Sequence, residues 1–362
     1  MDILAFALLL GIVIVVHELG HLMVARSNGV FCSAFSLGFG PILFSKKDKL
    51  GTQWRLSLFP FGGYVKMFGD ADVSSFRECV PEGASEEDME RMSLHRKRPW
   101  QKLLIAAAGP VANFLLSIVL FSIVFAIKGA PEYGNLISIA KEDSLAYVSG
   151  LRDGDRITRI NSVETNDFKS LKKEIINSRG KRMIIEFERG GFSRNISINM
   201  FERKGEELIP IEFLGVSPKE ALFKKLSVLE ALKAAIVETY VISVDNIVGV
   251  FKIITRKADT KNVGGVLSLF KMSSISVQSG FTSFISMIAM ISALLGAMNL
   301  LPIPLLDGGA VAISLIEWCF GRPLNKKLIG CISMAGLAIV AGLMSLGIWN
   351  DLSNCKFFNW FK

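Results

Sequence analysis

Two histidines and a glutamate interrupt an otherwise apolar run in the stretch VVHELGHLMVAR, residues 15–26. His17 and His21 are four residues apart, so on a helix both imidazoles project from one face, one turn apart. That spacing can chelate a single zinc ion. Glu18 sits beside the first ligand, placed to take a proton from the ion's water. Zinc lowers the pKa of such a water to about 7, and the carboxylate then passes the proton to a leaving amine. The arrangement suits metal-assisted hydrolysis of an amide. With 3 histidines in the chain, a chance H-E-x-x-H has odds of about one in a thousand.

Zinc needs a third protein ligand. The candidate is Asp307, the one carboxylate in NLLPIPLLDGG (residues 299–309). Pro302 and Pro304 break a helix there, and Gly308–Gly309 permit a sharp turn and close backbone approach. On the residues alone, Asp307 is either the third ligand or an acid in a helix-ending turn.

These groups have to be held by apolar helices. The chain is 362 residues long and 51% hydrophobic, with mean hydropathy +0.43. Four apolar runs of spanning length cover residues 3–25, 103–127, 281–301 and 328–349. Outside His17, Glu18 and His21, they contain no Asp, Glu, Lys, Arg or His. The first run lacks a basic leader and a small-residue cleavage site, so it reads as a retained span rather than a signal peptide. Lys/Arg clusters at 96–102 and 322–327 place the loops 27–101 and 310–327 in the cytoplasm. Both termini and the insert after the second span then lie outside. His17 and His21 would sit roughly 7–14 Å below the cytoplasmic boundary, at 1.5 Å per residue from Arg26.

Residues 30–68 are rich in aromatic and branched residues and read as β. Residues 70–93 are acidic and polar and read as a mobile surface segment. Residues 134–202 alternate short strands with turns around one helix, a compact α/β module. Within 226–254, Glu238, Asp245 and Lys252 recur every seven residues on one face of a helix. A lipid-buried charged stripe is costly, so an interfacial amphipathic helix is expected there, with a fifth span as the alternative. Residues 262–280 read as a re-entrant or connecting segment. The five cysteines (Cys32, Cys79, Cys319, Cys331, Cys355) are scattered without a CxxC pair and are expected to be small buried hydrophobes. The net charge of +8 fits loop topology and anionic lipid. No nucleic-acid module is present, and no nucleic-acid partner is expected.

Taken in order, HELGH, AAAGPVANF (residues 106–114) and NLLPIPLLDGG resemble the site-2 protease family, in particular its RseP-type membrane-embedded zinc metalloproteases. SLGFGPILF and PFGGYVKMFGD resemble that subgroup's cytoplasmic β-loop region, and SGLRDGDRITRIN (residues 149–161) resembles a PDZ core. Leu145 and Ser162 depart from the PDZ pattern, which usually has Pro and Gly there.

The resemblance implies a polytopic α-helical membrane protein of about four transmembrane helices. It has a cytoplasmic β-rich loop region and one extracytoplasmic PDZ-like α/β domain. Its divisions are 1–26, first span; 27–101, cytoplasmic loop with a membrane-associated β region at 30–68; 102–128, second span; 129–204, PDZ-like domain; and 205–280, linker and interfacial helix. Then follow 281–309, third span and LDGG motif; 310–327, cytoplasmic loop; 328–350, fourth span; and 351–362, tail.

It further implies Zn2+ on His17, His21 and Asp307, with Glu18 as catalytic base. Asn299 would hold substrate backbone. Asn113 would support the catalytic core or bind substrate, or serve only helix–helix hydrogen bonding. The strand around Gly62, Gly63 and Tyr64 could pair with an unwound, extended substrate. The implied substrates are single-span membrane proteins, such as anti-sigma-factor-like regulators or remnant signal peptides, already cut once by another protease. The implied location is the bacterial cytoplasmic (inner) membrane, with the lipid bilayer as a partner. The rival readings are a membrane-anchored protease that cuts soluble loops and a non-catalytic metal-binding PDZ scaffold or metal transporter.

Overall fold

Apart from His17, Glu18 and His21, α1 (Asp2–Ser27) is apolar around its axis over 26 residues, with Asp2 in the first turn and Arg26 in the last. Charges at both ends oppose the helix dipole, and the absence of a polar face suits lipid or a core. The computed structural model describes residues 2–69, 85–139, 143–204, 207–211, 214–255, 265–322 and 324–354. The acidic stretch expected at 70–93 lies largely outside them, apart from the short α2 described below.

Two long strands follow, β1 (Cys32–Lys47) and β2 (Gln53–Met67). Each bends, so that its halves act separately. Residues 34–37 lie between 63–66 on one side and 53–56 on the other, while 42–47 pair with 53–57. Gly38 sits at the bend of β1 with φ +86, a backbone state open to glycine at no steric cost. Leu22, Ala25, Val30, Phe35, Met67 and Ile105 form one buried cluster that fastens this sheet to the helices. α2 (Glu86–Met92) is closed by a Ser85/Asp88 capping box. α3 (Pro99–Lys128) starts with proline, which suits a first helical turn. It also carries Pro110 in its interior.

The chain divides into two compact units, and the second comprises Phe125–Ser227. Its elements are β3 (Ala130–Tyr133), β4 (Ile137–Ile139), α4 (Leu145–Val148), β5 (Arg156–Ile160), β6 (Val163–Glu164), α5 (Phe168–Asn177), β7 (Arg182–Arg189), β8 (Phe192–Asn199), β9 (Phe201–Lys204), β10 (Glu207–Pro210), β11 (Val216–Pro218) and β12 (Ala221–Lys224). The order β6-β5-β7-β8 makes a four-stranded antiparallel sheet. Met183, Ile185 and Phe187 alternate inward along β7 and meet Ile157, Ile160 and Leu171 in the core. The β5–β6 turn uses Asn161 (φ +48) and Ser162 (φ +69), both in the left-handed region that a two-residue hairpin demands.

The first strand of this unit, β3, pairs with the last, β12. The unit therefore closes at Ser227 rather than at 204, where the sequence suggested an end. Strands of three or four residues carry too little periodicity to reveal that clasp.

The other unit, Met1–Val124 with Val228–Lys362, resumes with α6 (Val228–Ile254), α7 (Val266–Gln278), α8 (Phe281–Asn299), α9 (Asp307–Phe320) and α10 (Lys326–Asn354). α7 replaces the expected connecting segment. It packs on α1 through an edge-to-face contact between Phe6 and Phe270, 5.6 Å apart. α9 occupies most of the expected loop 310–327, because AVAISLIEWCF has no Gly or Pro to interrupt it before a C-cap glycine, Gly321 (φ +66). Cys32 is buried as expected, whereas Cys319 on α9 is exposed.

Among the described residues, four helices are long and apolar enough to cross a membrane: Asp2–Ser27, Pro99–Lys128, Val228–Ile253 and Phe281–Asn299. The chain is a polytopic membrane protein with β-rich regions. By length and composition α6 joins this set, although an interfacial placement was expected for it. The run 328–349 falls within α10, a 29-residue helix, about 44 Å long at 1.5 Å per residue.

Candidate metal centre

Two elements far apart in the sequence bring three side chains to one point. α1 supplies His17 and His21 from adjacent turns of one face, and both are buried. α8 stops at Asn299 where Pro302 and Pro304 prevent continuation, and α9 restarts at Asp307. Its carboxylate therefore sits in a first helical turn, where the dipole favours negative charge. Asp307 Oδ2 lies 3.1 Å from His17 Nε2 and 3.3 Å from His21 Nε2, and the two Nε2 atoms are 3.3 Å apart.

The donor chemistry of this triangle is informative. His21 Nδ1 donates to the backbone carbonyl of Ile105, at 2.8 Å. A neutral His21 then presents a lone pair at Nε2. Asp307 Oδ2 is buried without a hydrogen-bond partner. Lone pairs thus face one another at buried atoms, which is costly unless a cation lies between them. In a tetrahedral zinc site with bonds of about 2.0–2.1 Å, neighbouring ligand atoms stand about 3.3 Å apart. The observed spacings fit that geometry, and three protein ligands leave a fourth position open. Among the described residues, His17, His21 and Asp307 are the group that could hold a metal ion.

The surroundings orient these groups. The Asn113 amide is buried 3.1 Å from His17 Nδ1, and its Oδ1 has no partner. With the amide turned end for end, Oδ1 accepts the Nδ1–H proton of His17, which leaves Nε2 free to ligate. Asn299 Nδ2 lies 3.4 Å from His17 Nε2. Glu18 accepts a hydrogen bond from the backbone N–H of Val65 on β2. A Cβ at Gly63 would come within 3.1 Å of Glu18 Cγ, so this strand passes directly over the glutamate. Tyr64 is further out, stacked on Phe39 at 6.1 Å, with its hydroxyl 3.4 Å from Arg55 Nη1. Gly62 (φ +112) packs against the Phe39 ring.

Three supporting features escape sequence reasoning. A Cβ at Gly109 would collide with His21 Nε2 and come within 2.8 Å of His17 Cε1, so only glycine leaves room for the imidazoles. Its place beside Pro110 in AAAGPVANF is the one trace of this in the sequence. Leu305 adopts φ +79 two residues before Asp307, a strained state for leucine of the kind found at functional sites. Arg26, Thr52 and Trp54 converge on Asp48 and clamp the sheet to the end of α1. Burial alone would raise the pKa of Asp48, but the hydrogen bonds from Trp54, Arg26 and Thr52 outweigh it and hold the value at about 2.

The model of peptidase family M50 matches residues 5–343. Three similar proteins extend the match over whole chains. "Putative zinc metalloprotease Atu1380" of Agrobacterium fabrum is 30% identical over 97% of this chain and 96% of its own. The Campylobacter jejuni protein Cj1068, named in the same way, is 33% identical over 97% and 93%. The Rickettsia conorii protein RC0203, also so named, is 30% identical over 98% and 99%. With a donor set that fits zinc and a match along almost its whole length, the chain belongs to peptidase family M50, the zinc metalloendopeptidases of the site-2 protease type.

Proposed function

We propose that this protein hydrolyses peptide bonds within the transmembrane segments of single-span membrane proteins, after another protease has made a first cut. The observation that carries the reading is the convergence of His17, His21 and Asp307 on one point, with both histidines inside a helix long and apolar enough to cross a membrane.

Bound at these three residues, zinc supplies Lewis acidity that brings water into reach as a nucleophile at neutral pH. Glu18 takes the proton of the attacking water and delivers it to the departing amine. Asn299, at the end of α8, holds substrate backbone beside the metal position. Asn113 supports His17, which favours core support over substrate contact for that residue.

Residues 63–67 are the outer segment of their sheet, and the Val65 N–H already points away from it, to Glu18. An unwound substrate pairing along Gly62, Gly63 and Tyr64 would lie against the glutamate. Such unwinding is required because a helical carbonyl is occupied within its own helix. The basic clusters favour a cytoplasmic β sheet, with the PDZ-like unit and both termini outside the bacterial inner membrane.

Co-expression with single-span membrane proteins tests the reading. Wild type is expected to release fragments cut within the apolar run. Glu18→Gln and chelator treatment are expected to abolish them. Cuts mapping only to soluble loops would favour a membrane-anchored protease. Zinc uptake into vesicles without any cleavage would favour a transporter.

A further inference from the structure

Resting on the reading above, we infer that Glu238 is a specificity determinant that selects substrate segments carrying a lysine or arginine within the membrane. A cavity of about 340 Å³ opens between α3, α6, α7 and α8. Phe121 and Met290 give it apolar walls, Ser276, Ser283 and Ser286 line it with hydroxyls, and Glu238 is its one acid. Ser276 Oγ is buried without a hydrogen-bond partner. No cation among the described residues forms an ion pair with Glu238. Glu238 shares one face of α6 with Asp245 and Lys252, but it is the residue of that face that lines the cavity, and a carboxylate in an apolar groove of a candidate span is costly and marks a functional position. The groove therefore asks for an apolar occupant with a single positive charge and hydrogen-bond donors.

Two of its helices, α3 and α8, also carry Asn113 and Asn299 beside the metal centre, and this indicates which occupant. Phe121 is eight residues beyond Asn113 on α3, about 12 Å along the axis, and Met290 is nine residues before Asn299 on α8, about 14 Å. A substrate helix with its scissile bond at the metal would bring a residue roughly eight to ten positions away to the level of Glu238. A lysine there would extend its apolar stem along Phe121 and Met290 and place its ammonium on the carboxylate.

The test uses the full-length protein in membranes and a single-span substrate with lysine or leucine placed at successive positions. The readout is the ratio of KM for the lysine and leucine forms, taken within each enzyme. Wild type is expected to prefer lysine about tenfold in KM at one position, the effect of a single charge-assisted hydrogen bond, with kcat unchanged. Glu238→Gln is expected to flatten the ratio, and Glu238→Lys to shift the preference to aspartate. In the Glu18→Gln background, cysteine at position 283 is expected to form a disulfide with a cysteine beside the substrate lysine. That cross-link needs no turnover, so it tests the proposal even if no cleavage is found. A ratio unchanged by Glu238→Gln would overturn the inference. So would a position 283 cysteine labelled by a lipid photoprobe but never by substrate. If no substrate is cut by wild type, it is the protease reading that fails.

Discussion

Asp155 and Asp307 are carboxylates, one in each unit, and their surroundings treat them oppositely. Asp155, with a side chain 1% exposed, is gripped through both oxygens by Arg189, at 2.7 Å each. The Arg152 backbone N–H adds a third bond at 2.8 Å. Asp307 is met instead by two imidazole nitrogens and has no donor of its own. A buried acid with a structural task is neutralised by the chain itself. One reserved for a cation is left facing other acceptors. The partners differ as well as the burial, since the Asp307 side chain is 25% exposed against 1% for Asp155.

Four substitutions sharpen or break this contrast. Asp307→Ala should have the largest effect. Zinc per chain is expected to fall to near zero in metal analysis of purified protein, with the chain still folded and cleavage lost. Full zinc occupancy in that variant would remove Asp307 from the ligand set. Asp155→Ala should do the reverse. Removing the acceptor of Arg189 and of the Arg152 N–H is expected to cost about 1–3 kcal/mol in unfolding of the α/β unit, while zinc content stays unchanged.

Asn113→Leu keeps the volume but removes the acceptor for His17. It is expected to weaken zinc binding by about 10–100-fold in a competition titration. An unchanged affinity would leave Asn113 as helix–helix glue. The smallest effect belongs to the clamp at Asp48, whose pKa is held at about 2 against 3.8. A depressed carboxylate contributes stability above its unfolded pKa and loses it as pH falls through the folded value. Asp48→Asn is therefore expected to cost on the order of 2 kcal/mol at pH 7, and the two proteins should unfold alike near pH 2. A constant gap between pH 7 and pH 2 would mean that packing, not charge, fastens the sheet.

How far the sequence reveals this molecule depends on how local each feature is. His17, Glu18 and His21 are legible because one helical turn relates them and nothing else in the apolar runs is ionisable. Asp307 is legible only as the sole acid of its motif, since its distance from the histidines is set by the restart of α9. That α9 continues where a loop was expected follows from reading the basic residues after Gly321 back into an apolar helix. Gly109, Leu305 and the Val65 N–H carry no side-chain signature of their tasks. Their roles arise from contacts between segments distant along the chain. The bent strands, the β3–β12 clasp and the cavity at Glu238 belong to the same class.

The central claim, that these three side chains share one zinc ion, is tested most directly by zinc X-ray absorption on purified Glu18→Gln protein. Two imidazole nitrogens at about 2.0–2.1 Å and carboxylate oxygen at about 2.0–2.2 Å are expected, with the signal lost in the additional Asp307→Ala variant. Sulfur at about 2.3 Å, or a protein that retains no zinc after dialysis, would contradict the account.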